Sequence, residues 1–143
     1  NVALSARQNN SQKRSEEITD EMLELIAISP LAHRVVGNLA HGERQLVELA
    51  MVLAGQPRLV LLDEPAAGMT AEERVRLASA LRGLAGRMSL IVVEHDMQFI
   101  RDIATEITVF HRGRVFIEGD VAAIMAHSEV QEIYLGKEAD GAA

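Results

Sequence analysis

Two pairs of neighbouring residues carry the strongest chemical signal in this sequence. Asp63-Glu64 ends the apolar run Leu59–Leu62, and Glu94-His95 ends a second such run, Leu90–Val93. Adjacent carboxylates at a strand end can divide labour. Asp63 suits a Mg²⁺ ion, held directly or through water, and Glu64 suits the polarisation of an attacking water. His95, at the tip of a neighbouring strand, can reach a terminal phosphate or that water. Chemistry in a parallel sheet gathers at the C-terminal strand ends, which places both tips in one site. Either pair alone has an ordinary reading, a solvated strand end or a structural histidine. A third segment, Leu39-Ala40-His41-Gly42-Glu43, lies at the start of a helix, where free N–H groups and the dipole attract anions. Gly42 lets a backbone approach closely there, although such a segment alone is most often just a helix start.

The elements that must hold these residues follow from apolar spacing. Residues 1–14 are polar, with Gln8-Asn9-Asn10-Ser11-Gln12, and read as a loose end or loop. Ser15 is expected to cap a helix with Ile18, Met22, Leu25 and Ile26 on one face, stopped at Ser29-Pro30. Gly42–Ala54 is the clearest helix, with the stripe Leu46, Leu49, Ala50 and Leu53, and Gly55 and Pro57 behind it. Leu59–Leu62 and Leu90–Val93 are short continuous apolar runs and read as strands buried on both faces. Between them Thr70-Ala71-Glu72-Glu73 forms a capping box for a helix expected to turn Val75, Leu77, Leu81 and Leu84 inward, finished by Gly83 and Gly86. Met97, Ile100 and Ala104 place a helix after the second strand. Arg112-Gly113 between Ile107–Phe110 and Val115–Ile117 signals a hairpin, and Asp120 and Ser128 are expected caps of two short helices. Strand, helix, strand, helix, strand is the alternation of an α/β fold with a parallel sheet.

Bulk properties narrow the classes. The 143 residues are 48% apolar, 24% charged and 3% aromatic, the profile of one globular domain and not of a disordered chain. Fourteen basic against 21 acidic residues give a net charge of −7 without a Lys/Arg stripe, which disfavours a nucleic-acid partner. There is no cysteine, hence no disulfide framework, and the cytoplasm is the expected compartment. No apolar run approaches the roughly 20 residues that span a bilayer. The chain begins at Asn1 without a signal-peptide pattern and is expected to be a fragment.

As a set, LAHGERQLVELA, LVLLDEP and IVVEHDM resemble the second half of an ABC-type ATPase. The resemblance runs from Asn1 to about Gly136. Leu39–Glu43 matches the family signature, Leu59–Glu64 the Walker B strand, Ala66–Thr70 the D-loop and His95 the switch histidine. It implies a partial P-loop NTPase fold: residues 1–38 part of a helical subdomain, 39–119 the ATPase core, 120–143 C-terminal helices and tail. It implies ATP and Mg²⁺ as cofactors, with Asp63 serving the metal, Glu64 the water and His95 the γ-phosphate. Leu39, Ala40, His41, Gly42 and Glu43 would then meet the ATP of the opposite subunit. The implied partners are transmembrane permease subunits and a second ATP-binding subunit, homo- or heterodimeric, at the cytoplasmic face of the inner membrane. DEPAAGM and EVQEIYLG resemble importers of branched-chain amino acids and, closer still, of urea or short amides; the lipopolysaccharide-export ATPase is the alternative. Ala40 stands where the family commonly has Ser, His41 where it has Gly, Glu43 where it has Gln, and Thr70 where the D-loop often has Asp or Asn. A protonated His41 could compensate for the missing hydroxyl.

One part of a nucleotide site is missing from these residues. A phosphate-cradling loop needs G-x-x-x-x-G-K-[ST]. Gly37 and Gly42 have the spacing, but Glu43-Arg44 follows instead of Lys-Ser. The resemblance places that loop, the adenine-stacking aromatic and the Q-loop glutamine before Asn1. The expectation is that the isolated chain does not hydrolyse ATP, or acts only as a signature or interaction module. Strands that lack the Walker A neighbour are expected to leave unpaired groups that the chain covers by self-association, strand exchange or local rearrangement.

Overall fold

The computed structural model describes residues 1–7 and 11–134, which divide into two compact units, Asn1–Glu94 and His95 onward. The first unit begins with α1 (Val2–Ala6) and α2 (Gln12–Leu25). The described part of the N-terminal stretch is thus largely helical and not loose: its polar residues form the wet outer turns of α2, while Ile18, Met22 and Ile26 are buried. Ser15 is not a cap. It lies inside α2, almost fully buried, and its hydroxyl donates to the Ser11 carbonyl at 2.8 Å. The chain leaves α2 through Ala27 in the left-handed region (φ 56°) and makes 3₁₀ turns at Ser29–Leu31 and Val36–Asn38.

α3 (His41–Ala54) packs against both earlier helices with Leu46, Leu49, Ala50 and Leu53 buried, the stripe expected from its spacing. At its end the left-handed residue is Gln56 (φ 52°), whereas Gly55 keeps a right-handed backbone. β1 (Leu59–Asp63) and β2 (Ser89–Val93) pair in parallel, Leu59 opposite Ser89 through Asp63 opposite Val93. Between them runs α4 (Ala71–Gly83), opened by the capping box at Thr70 and Glu73. Its inner face is Leu77, Ala78, Ala80 and Leu81, continued by Leu84. Val75 is on the outer face at 65% exposure, because the small alanines, not Val75, lie in the apolar sector of the helix.

The two strands are not buried on both faces. Val60 is buried, with Leu62, Leu90 and Val92 half-buried beside it, but Leu59, Leu61, Ile91 and Val93 are exposed on the other face. Their apolar character was legible; the lack of a cover on one face was not, because burial depends on neighbours that a run of Leu and Val does not encode.

In the second unit α5 (Met97–Ile103) is capped by Asp96, which accepts from the N–H groups of Gln98 and Phe99. β3 (Glu106–His111) and β4 (Arg114–Asp120) form the expected antiparallel hairpin through Arg112-Gly113, both at positive φ as a two-residue turn of matching twist requires. Asp120 caps α6 (Val121–Ala126) through the Ala123 N–H at 2.8 Å. Ser128 is the first residue of α7 (Ser128–Tyr134), with His127 before it, instead of the expected cap. Val109, Ile124 and Val130 form the core, flanked by Met97, Ile107, Ile117 and Tyr134. The tail motif EVQEIYLG runs past Tyr134 and lies partly outside the described residues.

Candidate functional site

β1 delivers two acids to its C-terminal tip. The strand ends at Asp63, yet the Glu64 N–H still donates to the Val93 carbonyl at 2.9 Å, so the ladder reaches one residue further before the chain turns. Glu64 makes that turn with φ 44°, a left-handed conformation unusual for a residue with a Cβ. Such a backbone costs about 1–3 kcal/mol and persists where surrounding bonds fix it. Those bonds are present. The Ala67 N–H donates to the Glu64 carbonyl, the Met69 N–H to the Ala66 carbonyl, and Gly68 takes φ 70°. From the tip of β2, Glu94 Oε1 accepts from the Ala66 N–H at 3.0 Å. Both Asp63 and Glu64 are exposed. Carboxylate oxygens at an open strand tip are the donors Mg²⁺ prefers. Among the described residues no group of three or more acidic or imidazole side chains comes together that could hold a metal ion.

The start of α3 is built differently. Its N-cap residue Ala40 has no side-chain acceptor, and only the reverse half of a capping box is made: Glu43 Oε2 accepts from the Ala40 N–H at 2.9 Å. Glu43 is also paired with Arg34 at 3.3 Å. Leu39 is buried at 5% exposure, so it can offer a ligand only backbone. Ala40 and His41 are exposed. What crowds Gly42 is a carboxylate of the chain itself. A methyl group on Gly42 would come within 2.4 Å of the Glu73 carboxyl carbon and 2.5 Å of both its oxygens. On the other side, a methyl group on Gly68 would meet the His41 ring at 3.2 Å.

Glu73 is 9% exposed, and its Oε2 accepts from the Thr70 N–H at 2.8 Å and from the Thr70 hydroxyl at 2.9 Å. The backbone and side-chain hydrogen bonds from Thr70 hold its carboxyl below the ordinary 4.5; Arg76 and His41 help, and burial opposes them.

The structure thus brings Asp63 and Glu64 together at one tip, and draws His41 against the turn that follows and Gly42 against Glu73 at the start of α4. His95 follows Glu94 directly, is exposed, and opens the second unit. The contacts of two residues here escape reasoning from the sequence alone. Glu94 stood at a recognised strand tip, but its bond to Ala66 depends on strand pairing. Glu73 was legible as a capping-box residue, whereas its seat on Gly42 is a tertiary contact with no sequence signature.

The family model described as ABC transporter matches residues 1–67. The branched-chain amino acid transport ATP-binding protein BraF of Pseudomonas aeruginosa is 30% identical over 129 residues, 89% of this chain and 51% of that protein. The corresponding protein LivG of Escherichia coli is 32% identical over 117 residues, 80% of this chain and 46% of that one. Among solved structures, cbiO1 of Clostridium perfringens, part of an ABC transporter complex, superposes with a TM-score of 0.80 at 22% identity, over 96% of this chain and 57% of that one. At that identity the superposition speaks to fold alone. The chain spans about half the length of the curated relatives it matches.

Proposed function

We infer that this chain belongs to the ATP-binding proteins of ABC transporters and forms the signature and Walker B part of a subunit that hydrolyses ATP to energise import of branched-chain amino acids or of urea and short amides. The observation that carries this reading is the β1 tip: Asp63 and Glu64 side by side, with the turn after them fixed by Glu94 from the neighbouring strand. In the full-length protein Glu64 orients the attacking water and accepts its proton, and His95 stabilises charge on the γ-phosphate. Asp63 would hold Mg²⁺, which would supply charge neutralisation at the phosphates. Leu39–Glu43 presents the first turn of α3 to the ATP of a second ATP-binding subunit.

Residues 1–38 belong to the helical subdomain, residues 39–119 to the ATPase core and residues 120–143 to a C-terminal extension. An open groove of about 460 Å³, bordered by Leu23, Leu31, Val35, Leu39 and Val47, supports docking of a transmembrane permease against the helical part. No helix among the described residues is long and apolar enough to cross a membrane. In this reading the subunit works at the cytoplasmic face of the membrane, beside that partner.

A second reading, a binding module without turnover, is supported by the lack of any G-x-x-x-x-G-K-[ST] in these 143 residues. The test fuses the first half of LivG ahead of Asn1 and measures phosphate release with Mg²⁺ and ATP. Hydrolysis by the fusion, lowered about 10²–10⁴-fold by Glu64→Gln, is the expected result. A fusion whose turnover ignores Glu64→Gln overturns the assignment. Turnover by the unfused chain, abolished by Glu64→Gln, overturns the second reading.

A further inference from the structure

We propose that Glu73 is a positioning residue that ties the turn Ala66–Thr70 to the first turn of α3, holding the two at one spacing. The functional weight of the tie rests on the reading that Leu39–Glu43 meets nucleotide and that Ala66–Thr70 is the D-loop; the tie itself does not.

The geometry is reciprocal. Glu73, from α4, is seated on Gly42 of α3, and His41 of α3 is seated on Gly68 of the turn. α4 places a side chain over a glycine of α3, and α3 in turn places one over a glycine of the segment that leads into α4. A capping box by itself needs only that Glu73 reach back to Thr70, and such a residue commonly stays wet on a helix surface. Here the carboxylate is buried, is clasped by the Thr70 N–H and hydroxyl, and lies against a helix start whose own cap residue, Ala40, has nothing to accept with. Negative charge is favoured at that end of a helix. The titratable and charged groups that face it are His41 from α3 and Arg76 from α4. Gly42 therefore has a role inside the chain: it leaves room for Glu73.

The experiment uses the 143-residue chain without nucleotide and compares Gly42→Ala, Glu73→Ala, Glu73→Gln and the Gly42→Ala/Glu73→Ala pair. Ala ordinarily improves a helix over Gly. Gly42→Ala is expected to lower the thermal midpoint in the wild-type background and to raise it once Glu73 is Ala, a reversal of sign. Amide exchange at Gly68 and Met69 is expected to quicken at least about tenfold in Glu73→Ala and in Gly42→Ala, since local opening sets exchange. Glu73→Gln is expected to restore protection, because its amide oxygen still accepts from Thr70. Additive midpoints, unchanged exchange in Glu73→Ala, or a Glu73→Gln variant as loose as Glu73→Ala would overturn the tie. Should Gly42→Ala fail to fold, the exchange comparison of Glu73→Ala with Glu73→Gln decides alone. Hydrolysis by the LivG fusion is not read in any arm, so the two proposals stand or fall separately.

Discussion

At the residue scale, two glutamates show how local bonding sets chemistry. The folded chain binds the Glu73 proton less readily than the unfolded chain, because Thr70 stabilises the carboxylate. The stability this adds is fully present above the ordinary value of 4.5 and is lost as pH falls through the lower folded value. Thermal melts of wild type and Glu73→Gln are accordingly expected to differ most near neutral pH and to converge as the pH drops below 4.5. Midpoints that differ by the same amount throughout would count against this. Glu64 presents the opposite case, a side chain retained at a backbone position that disfavours it. Glu64→Gly relieves strain of about 1–3 kcal/mol and adds an entropic penalty of about 0.5–1 kcal/mol. The variant is expected to melt at or above the wild-type temperature, although its carboxylate is gone. A clear loss of stability would show that the Glu64 side chain supports the fold instead.

At the element scale, helix starts decide much. Thr70 caps α4 through the Glu73 N–H, and Thr70→Ala is expected to cost about 0.5–2 kcal/mol in denaturant melts. Ala40 occupies the same position for α3 with an extended backbone, φ −62° and ψ 164°, that a capping serine also adopts. Ala40→Ser is therefore expected to stabilise the chain by about 1 kcal/mol, a gain that unchanged melts would refute. These starts, the α3 stripe and the Arg112-Gly113 hairpin were legible because short-range rules govern them. Ser15 misled because a hydroxyl before an apolar stripe looks like a cap, whereas here it bonds back within the helix to Ser11. Val75 misled because alanines at 78 and 80 carry the packing face that a larger residue was expected to carry. Asp63 and Glu64 could be placed at a strand tip from sequence. The left-handed turn at Glu64, the reach of Glu94 into it and the seat of Glu73 on Gly42 could not, since they depend on strand register and on α4 lying beside α3.

At the scale of the whole molecule, the β1–β2 pair is expected to govern behaviour in solution. A parallel pair is normally one part of a larger sheet covered on both faces, and two strands alone are marginal in water. Here Leu59, Leu61, Ile91 and Val93 share one exposed face, at 49%, 68%, 55% and 59% exposure. Full burial of a side chain of this size is worth about 1.5–3 kcal/mol, and covering the exposed half of these four favours association. A second copy offers an identical apolar face, and two such faces can cover each other about a two-fold axis. Light scattering is expected to give a mass that rises with concentration above the 15.6 kDa of one chain. Leu61→Lys with Ile91→Lys, which places two like charges opposite each other on that face, is expected to return the chain towards a monomer with its helix content retained. A monodisperse wild-type monomer with slowly exchanging β1 and β2 amides would show that the face is stable uncovered, and the association argument would fail.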